Sequence, residues 1–146
     1  MPKYEREVEI DAPIEKVWDV LTNPKTWPQW FPGIEEVSNI GSLTKNSQFE
    51  WQDEGRTGSG IVVKLEPHKR LEIATQMDAD RDSHVFKLKK SGGLLGLAKD
   101  ETKVTYILDT LMGGGIISNF VAGGNPKDTL RVKKAVHALR RTVEGM

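Results

Sequence analysis

The sequence predicts an α+β fold in which a seven-stranded antiparallel sheet packs against one long C-terminal helix. Three observations predict this fold. Six short segments alternate apolar and polar residues with the period of two that is typical of half-buried strands, and a seventh, Gly33–Ile40, is more weakly patterned. The connections after the first helix are mostly of hairpin length, which favours antiparallel neighbours. Residues Pro126–Glu144 carry a single apolar stripe at helical spacing, so this helix must cover an apolar surface.

The chain opens with a strand followed directly by a helix. Residues Tyr4–Ile10 alternate, with Val8 and Ile10 on the side that we expect to be buried. Asp11 is expected to accept hydrogen bonds from the first turn of the helix, and Pro13 stands where a missing N–H costs nothing. The apolar face of the helix consists of Ile14, Val17, Trp18 and Leu21.

A tryptophan-rich turn follows this helix. Asn23-Pro24 ends the helix, because proline disfavours helical geometry in the residue before it. The turn then brings together three large aromatic residues, Trp27, Trp30 and Phe31. So much apolar area in a short segment predicts a concave apolar partner in the fold.

Six further strands and one helix complete the prediction. The strands are expected at Gly33–Ile40, Ser47–Trp51, Gly58–Glu66, Arg70–Gln76, Ser83–Lys90 and Lys103–Leu111. In the third of these, Ile61, Val63 and Leu65 are expected on one face, and Asp78–Asp82 is expected to be a polar turn. The final helix buries the stripe Val132, Ala135, Val136, Leu139 and Val143, with Arg131 and Lys134 on its other face.

Composition limits the class of protein. The 146 residues are expected to form one domain, residues 1–146. Lysine plus arginine and aspartate plus glutamate balance at 21 each, whereas a nucleic-acid-binding protein usually has a basic excess. The chain contains no cysteine, its first residues are charged, and it lacks the run of about 18 apolar residues that spans a membrane. We therefore expect a cytoplasmic protein without nucleic-acid partners or stable membrane insertion.

The stretch Ile10–Pro32 resembles a known superfamily. A strand that leads into D-A-P-x-x-x-V-W-x-x-L, followed by N-P and W-P-x-W-x-P, is similar to the polyketide cyclase/dehydrase and lipid-transport superfamily, which includes the START domains and the birch-pollen-allergen fold. The resemblance implies a helix-grip fold, in which a curved antiparallel sheet wraps around the C-terminal helix and encloses a ligand cavity. It implies no fixed catalytic residue.

No metal or cofactor is expected. Asp78, Asp80 and Asp82 imitate the start of a calcium loop, but Ser83 and Lys89 stand where the loop needs glycine and glutamate. The three histidines lack metal-ligand spacing, and the glycine clusters match no phosphate-binding motif.

The predicted ligand-binding residues lie on the inward strand faces, the aromatic turn and the final helix. They are Trp30, Phe31, Phe49, Trp51, Val63, Ile73, His84, Phe86, Tyr106, Leu108, Phe120 and Leu139. His84 and Tyr106 would supply polarity to an apolar cavity. Alternatively, His84 is a hydrogen-bonded histidine near a strand end and Tyr106 a core residue with a satisfied hydroxyl.

Two further segments allow two interpretations each. The apolar residues between Gly113 and Gly124 form either a connector or a glycine-hinged portal to the cavity. The loop with Leu94, Leu95 and Leu97 either folds back over the cavity or contacts a membrane or a partner.

Three functions follow from these observations. The sequence favours a module that binds a hydrophobic or amphipathic small molecule, such as a lipid or a polyketide-like compound. The second function is a cyclase or dehydratase that uses the same cavity, with His84 and Tyr106 as its candidate acid and base. The third is a protein-interaction domain, as in chaperone-cofactor relatives of the same fold.

Overall fold

The computed structural model describes residues 3–38, 40, 43–78, 80–91, 100–112 and 126–146. The predicted Gly113–Gly124 segment with Phe120, and the Leu94–Leu97 loop, lie outside the described residues. The α+β class is confirmed: seven antiparallel strands form one sheet, and the C-terminal helix packs against it.

The strands follow the predicted order with small differences at their ends. They are β1 (Lys3–Ile10), β2 (Glu36–Ser38), β3 (Gln48–Asp53), β4 (Arg56–Glu66), β5 (Arg70–Met77), β6 (Asp80–Ser91) and β7 (Glu101–Met112). The order across the sheet is β1-β7-β6-β5-β4-β3-β2, so β2 to β7 form a meander and the first strand pairs with the last. The predicted polar turn Asp78–Asp82 is too long, because β6 already begins at Asp80, which pairs with Met112.

In the part of the chain that the structure describes, three helices flank the sheet: α1 (Ile14–Leu21), α2 (Trp27–Trp30, after a 3-10 turn at Pro24–Thr26) and α3 (Pro126–Glu144). The buried stripe of α3 is the predicted one. The predicted cap of α1 is wrong: Pro13 occupies the N-cap and no side chain caps the helix, because Asp11 stands three residues before the first helical residue. The Asp11 N–H instead donates to Glu144 Oε2 of α3 over 2.9 Å.

The aromatic turn packs into the core with its polar atoms satisfied. The Trp27 indole N–H donates to the Leu21 carbonyl over 2.9 Å, and the Trp30 indole N–H donates to Thr26 Oγ1 over 3.0 Å. The rings of Trp27 and Phe49 lie 5.1 Å apart, so α2 is joined to β3. This packing closes one end of the space between the sheet and α3.

A β-bulge makes the predicted inward face of β4 wrong. The register between β4 and β5 shifts between Val62 and Lys64, so the extra residue reverses the alternation. Val62 is fully buried, whereas Val63, a predicted ligand-binding residue, is 46% exposed. Ile61 lies on the outer face, and Leu65 returns to the inner face beside Leu71.

Candidate functional site

Three buried polar side chains form a hydrogen-bonded chain across the inner face of the sheet. The His84 ring of β6 lies between Thr75 of β5 and Tyr106 of β7. His84 Nε2 is 2.9 Å from Thr75 Oγ1, and His84 Nδ1 is 2.6 Å from the Tyr106 hydroxyl oxygen. Thr75, His84 and Tyr106 are all buried, with exposed fractions of 6% or less. We call this arrangement the polar chain.

Aromatic rings surround the polar chain. The His84 ring lies 4.7 Å from the Phe31 ring, centroid to centroid. Tyr106 stacks on Phe86 at 4.5 Å, and Trp30 meets Phe86 edge-on at 5.4 Å. Side chains therefore fill the centre of the inner face.

His84 is held neutral by its surroundings. Burial, and next the positive charge of Arg131, lower the pKa of the imidazole to about 3. A neutral imidazole has one N–H donor and one acceptor nitrogen, so the polar chain has two possible directions of donation. In one direction Tyr106 donates to Nδ1 and Nε2 donates to Thr75. In the other direction both bonds reverse.

An ion pair lies near one end of the polar chain. Arg131 Nη2 of α3 lies 3.5 Å from Asp82 Oδ2 of β6, and both side chains are partly exposed. Because Asp82 pairs with Thr75 in the β5–β6 register, the ion pair stands beside the threonine end of the chain. It joins the first half of α3 to the sheet.

A small cavity opens at this end, and we call it the mouth pocket. Its volume is about 180 Å³. Its lining residues are Gly33, Trp51, Asp53, Arg56, Thr75, Met77, Asp80, Asp82 and Arg131. Thr75 belongs to both the polar chain and the pocket wall, so it is the point at which the buried hydrogen bonds reach a cavity.

A second cavity, the helix groove, lies between the α2 turn and α3. Its volume is about 240 Å³, and it is lined by Pro28–Gly33 and, on α3, by Arg131, Lys134, Ala135 and Ala138. It shares Gly33 and Arg131 with the mouth pocket. Gly33 adopts a φ of +79°, and a side chain there would contact the Arg131 guanidinium. Gly33 and the Arg131 side chain therefore lie where the two cavities meet.

The largest of the three cavities described here, about 740 Å³, lies on the opposite face of the sheet, and we call it the outer cavity. Ile61 and Ala74 line it together with polar side chains such as Gln48, Gln76 and Arg81. Phe49, Thr75 and Asp82 also line it, but their side chains contact inner-face partners. The polar chain lies on the inner face, and its Thr75 belongs to the wall of the mouth pocket. We therefore place the candidate site at the mouth pocket.

Apart from the exposed Val63 and from Phe120, which lies outside the described residues, the predicted ligand-binding residues are distributed over four places. Trp51 lines the mouth pocket, Trp30 and Phe31 line the helix groove, and Phe49 lines the outer cavity. The remaining described residues with inward side chains are core residues: Ile73, His84, Phe86, Tyr106, Leu108 and Leu139. Whether they contact a ligand stays a prediction.

Thr75, Asp82 and Arg131 were not among the predicted site residues. Thr75 follows Ile73 by two positions, and Asp82 precedes His84 by two positions. The period of two therefore predicts that both residues lie on the inner face. The sequence pattern predicts Arg131 on the face of α3 opposite the apolar stripe, and it does not indicate a partner on β6. Its position depends on how the helix packs across the sheet.

The described residues contain no group of three histidine, cysteine or acidic side chains that could hold a metal ion. None of the helices that the structure describes is long and apolar enough to cross a membrane. The exposed His68 has a structural position: it lies in the β4–β5 turn with a φ of +62°, and the centroid of its ring is 6.1 Å from that of Trp18.

The sequence matches the family described as "Polyketide cyclase / dehydrase and lipid transport" over residues 1–144. No curated protein sequence matches the chain.

Solved structures share the fold at low sequence identity. Protein MLL2253 from Mesorhizobium loti superposes with a TM-score of 0.74 at 15% identity, with 99% of this chain and 98% of that chain covered. The Aha1 dimer from Colwellia psychrerythraea gives a TM-score of 0.68 at 17% identity, with coverages of 99% and 97%. DynU16, from the dynemicin biosynthetic locus, gives 0.70 at 20% identity, and this chain spans 48% of it. At these identities the likeness shows the fold.

Proposed function

The chain belongs to the polyketide cyclase/dehydrase and lipid transport family, and we propose that it binds a hydrophobic or amphipathic small molecule, such as a lipid or a polyketide-like compound, between the sheet and α3. Membership of this family implies a hydrophobic ligand-binding domain. The proposed entrance is the mouth pocket, and the binding space extends past Arg131 toward the helix groove.

One observation supports this location above the others. The polar chain reaches a cavity through Thr75, and the same cavity is bounded by the apolar side chains of Trp51 and Met77. Ligand sites are typically apolar with a few placed polar groups, so the apolar part of a ligand would lie against Trp51 and Met77 and not against the five charged residues of the rim. The mouth pocket and the helix groove are each smaller than the roughly 300 Å³ of common ligand sites. A ligand of ordinary size would therefore occupy both, with displacement of the Arg131 side chain.

Native mass spectrometry and displacement of N-phenyl-1-naphthylamine, a neutral fluorescent probe, test this proposal. We expect a bound species that organic extraction removes, and probe displacement by at least one class of lipid or aromatic compound. A Trp51→Ala variant should weaken probe binding, whereas Val63→Ala, on the exposed side of the bulge, should not. A purified protein without any bound species or probe binding would contradict the proposal.

A second function has one observation in its favour. His84 Nδ1 and the Tyr106 hydroxyl lie 2.6 Å apart, which is the kind of close titratable pair that a cyclase or dehydratase would use. Both groups are enclosed by rings, so a substrate would have to reach them through Thr75. If replacement of both residues left the turnover of every tested polyketide-like substrate unchanged, their catalytic role would be wrong.

The remaining parts of the proposal concern partners and location. A protein partner stays a prediction, because the segments predicted to contact it lie outside the described residues. The absence of cysteine suits a reducing compartment, so we keep a cytoplasmic location within the proposal.

A further inference from the structure

We infer that the polar end of the ligand is an uncharged oxygen function, a ketone or a hydroxyl group, that hydrogen-bonds to Thr75 in the mouth pocket. The inference rests on the proposed function and names the chemical class that this site would select. Three features of the described residues carry it: the burial of Thr75, the two directions of the polar chain, and the charges around the pocket.

Thr75 is the buried polar side chain among the residues that line the mouth pocket. It is 6% exposed, and its buried neighbours in the wall, Trp51 and Met77, are apolar. The charged residues of the pocket lie nearer to solvent, as their greater exposure shows. A ligand that enters past the charged rim therefore meets the threonine hydroxyl as its inner polar contact.

The polar chain allows this hydroxyl to serve either kind of partner. When His84 Nε2 carries the proton and donates to Thr75 Oγ1, the threonine hydrogen remains available to a ketone oxygen. When Thr75 instead donates to Nε2, its oxygen remains available to accept from a ligand hydroxyl. The change needs only the other tautomer of the ring, with the Tyr106 contact reversed.

The charges around the pocket disfavour an ionic ligand end. Three carboxylates, those of Asp53, Asp80 and Asp82, face two guanidinium groups. Both guanidinium groups have carboxylate partners: Arg131 pairs with Asp82 at 3.5 Å and Arg56 with Asp78 at 3.4 Å. An anion would therefore have to compete with these carboxylates for both guanidinium groups.

A cation is disfavoured for a different reason. Thr75 is buried beside the apolar side chains of Trp51 and Met77. A cation hydrogen-bonded to Thr75 would lose its surrounding water there, and these walls cannot solvate it.

Five compounds that share one ring system test the inference by calorimetry or fluorescence at neutral pH. They are naphthalene, 2-naphthol, 2-acetylnaphthalene, 2-naphthoate and protonated 2-naphthylmethylamine. We expect the naphthol and the ketone to bind about threefold to tenfold more tightly than naphthalene, as one net hydrogen bond provides. The two ions should bind more weakly than naphthalene.

Two variants locate the contact. Thr75→Val, which keeps the shape of the side chain, should remove the advantage of the naphthol and the ketone over naphthalene. Thr75→Ser, the matched control, should keep it. If Thr75→Val does not fold, nitrogen-15 NMR of the His84 ring in the wild-type protein provides the second measurement: the ketone complex should hold the proton on Nε2.

The outcomes separate the two proposals. Equal binding of naphthalene, naphthol and ketone, tighter binding of either ion, or an Nδ1-protonated ring in the ketone complex would overturn the inference while ligand binding itself stands. If naphthalene and all four derivatives fail to bind, both the inference and the proposed function for aromatic ligands are wrong.

Discussion

His84 shows how a single residue acquires its properties from its neighbours. Strand alternation places it on the inner face, but its two partners come from different strands, nine and 22 positions away in the chain. Both ring nitrogens are used, and aromatic rings cover the imidazole. The two interpretations of the sequence therefore converge: His84 is a hydrogen-bonded core histidine that is connected to a cavity through Thr75.

The burial of His84 predicts a pH dependence of stability. The unfolded chain takes up a proton on this ring below pH 6.5, whereas the folded protein, with a pKa of about 3, does not. The free energy of unfolding should therefore decrease as the pH falls from 6.5 toward 3, with a limiting slope of about 1.4 kcal/mol per pH unit from this residue. Above pH 6.5 His84 contributes no slope.

Urea unfolding of the wild-type protein and of His84→Gln between pH 7.5 and 4.5 measures this contribution. The variant should show a shallower loss of stability on acidification, because glutamine does not titrate. His137→Gln serves as the control, since His137 is exposed on α3. Parallel profiles for the wild-type protein and His84→Gln would show that His84 does not carry the effect.

At the scale of single elements, β4 shows where a period-two pattern misleads. Ile61, Val63 and Leu65 alternate in the sequence, yet the bulge divides them between the two faces. Gly58 and Gly60 occupy the inner face instead, where the rings of Trp51 and Phe49 lie against them: a side-chain carbon on Gly60 would come within 2.2 Å of Phe49. Because the two glycines have no side chains, they leave room for the large aromatic residues of β3.

The bulge predicts unequal effects for two adjacent valines. Val62→Ala should lower the free energy of unfolding by about 1–3 kcal/mol, because it removes fully buried apolar volume. Val63→Ala should change it by less than about 0.5 kcal/mol, because Val63 is 46% exposed. Urea unfolding of the two variants measures the difference. The reverse order would mean that β4 keeps the uninterrupted alternation of its sequence.

At the scale of the whole molecule, the candidate site depends on how α3 lies across the sheet. The buried stripe of α3 covers the inner face, while Arg131 extends from the same helix to Asp82 on β6. Its side chain and Gly33 line both the mouth pocket and the helix groove. The position of α3 therefore places Arg131 where a ligand that occupies both cavities would meet it.

Replacement of Arg131 by methionine should join the two cavities. We expect Arg131→Met to bind N-phenyl-1-naphthylamine several-fold more tightly than the wild-type protein, because the naphthyl and phenyl groups of the probe no longer have to displace a guanidinium group. Loss of the partly exposed ion pair with Asp82 should cost only about 0–1 kcal/mol of stability. Fluorescence titration measures the affinity.

Lys134→Met is the matched control for this substitution, since Lys134 lines only the helix groove among the two cavities. An equal gain in both variants would indicate a general increase in hydrophobicity rather than a joined cavity. An unchanged affinity in Arg131→Met would mean that Arg131 does not separate the two spaces for a ligand.

The sequence by itself determined the seven strands, the order of the elements, the buried stripe of α3 and the family, because apolar periodicity and turn residues act over a few neighbouring positions. It also placed His84 and Tyr106 on the inner face. Only the tertiary structure decided that the two side chains meet, that Thr75 continues their hydrogen bonds to a cavity, and that Arg131 lies opposite Asp82. The bulge at Val63 belongs with these features. Each depends on strand register or on the position of a helix across a sheet, which brings distant residues together and leaves no local pattern in the sequence.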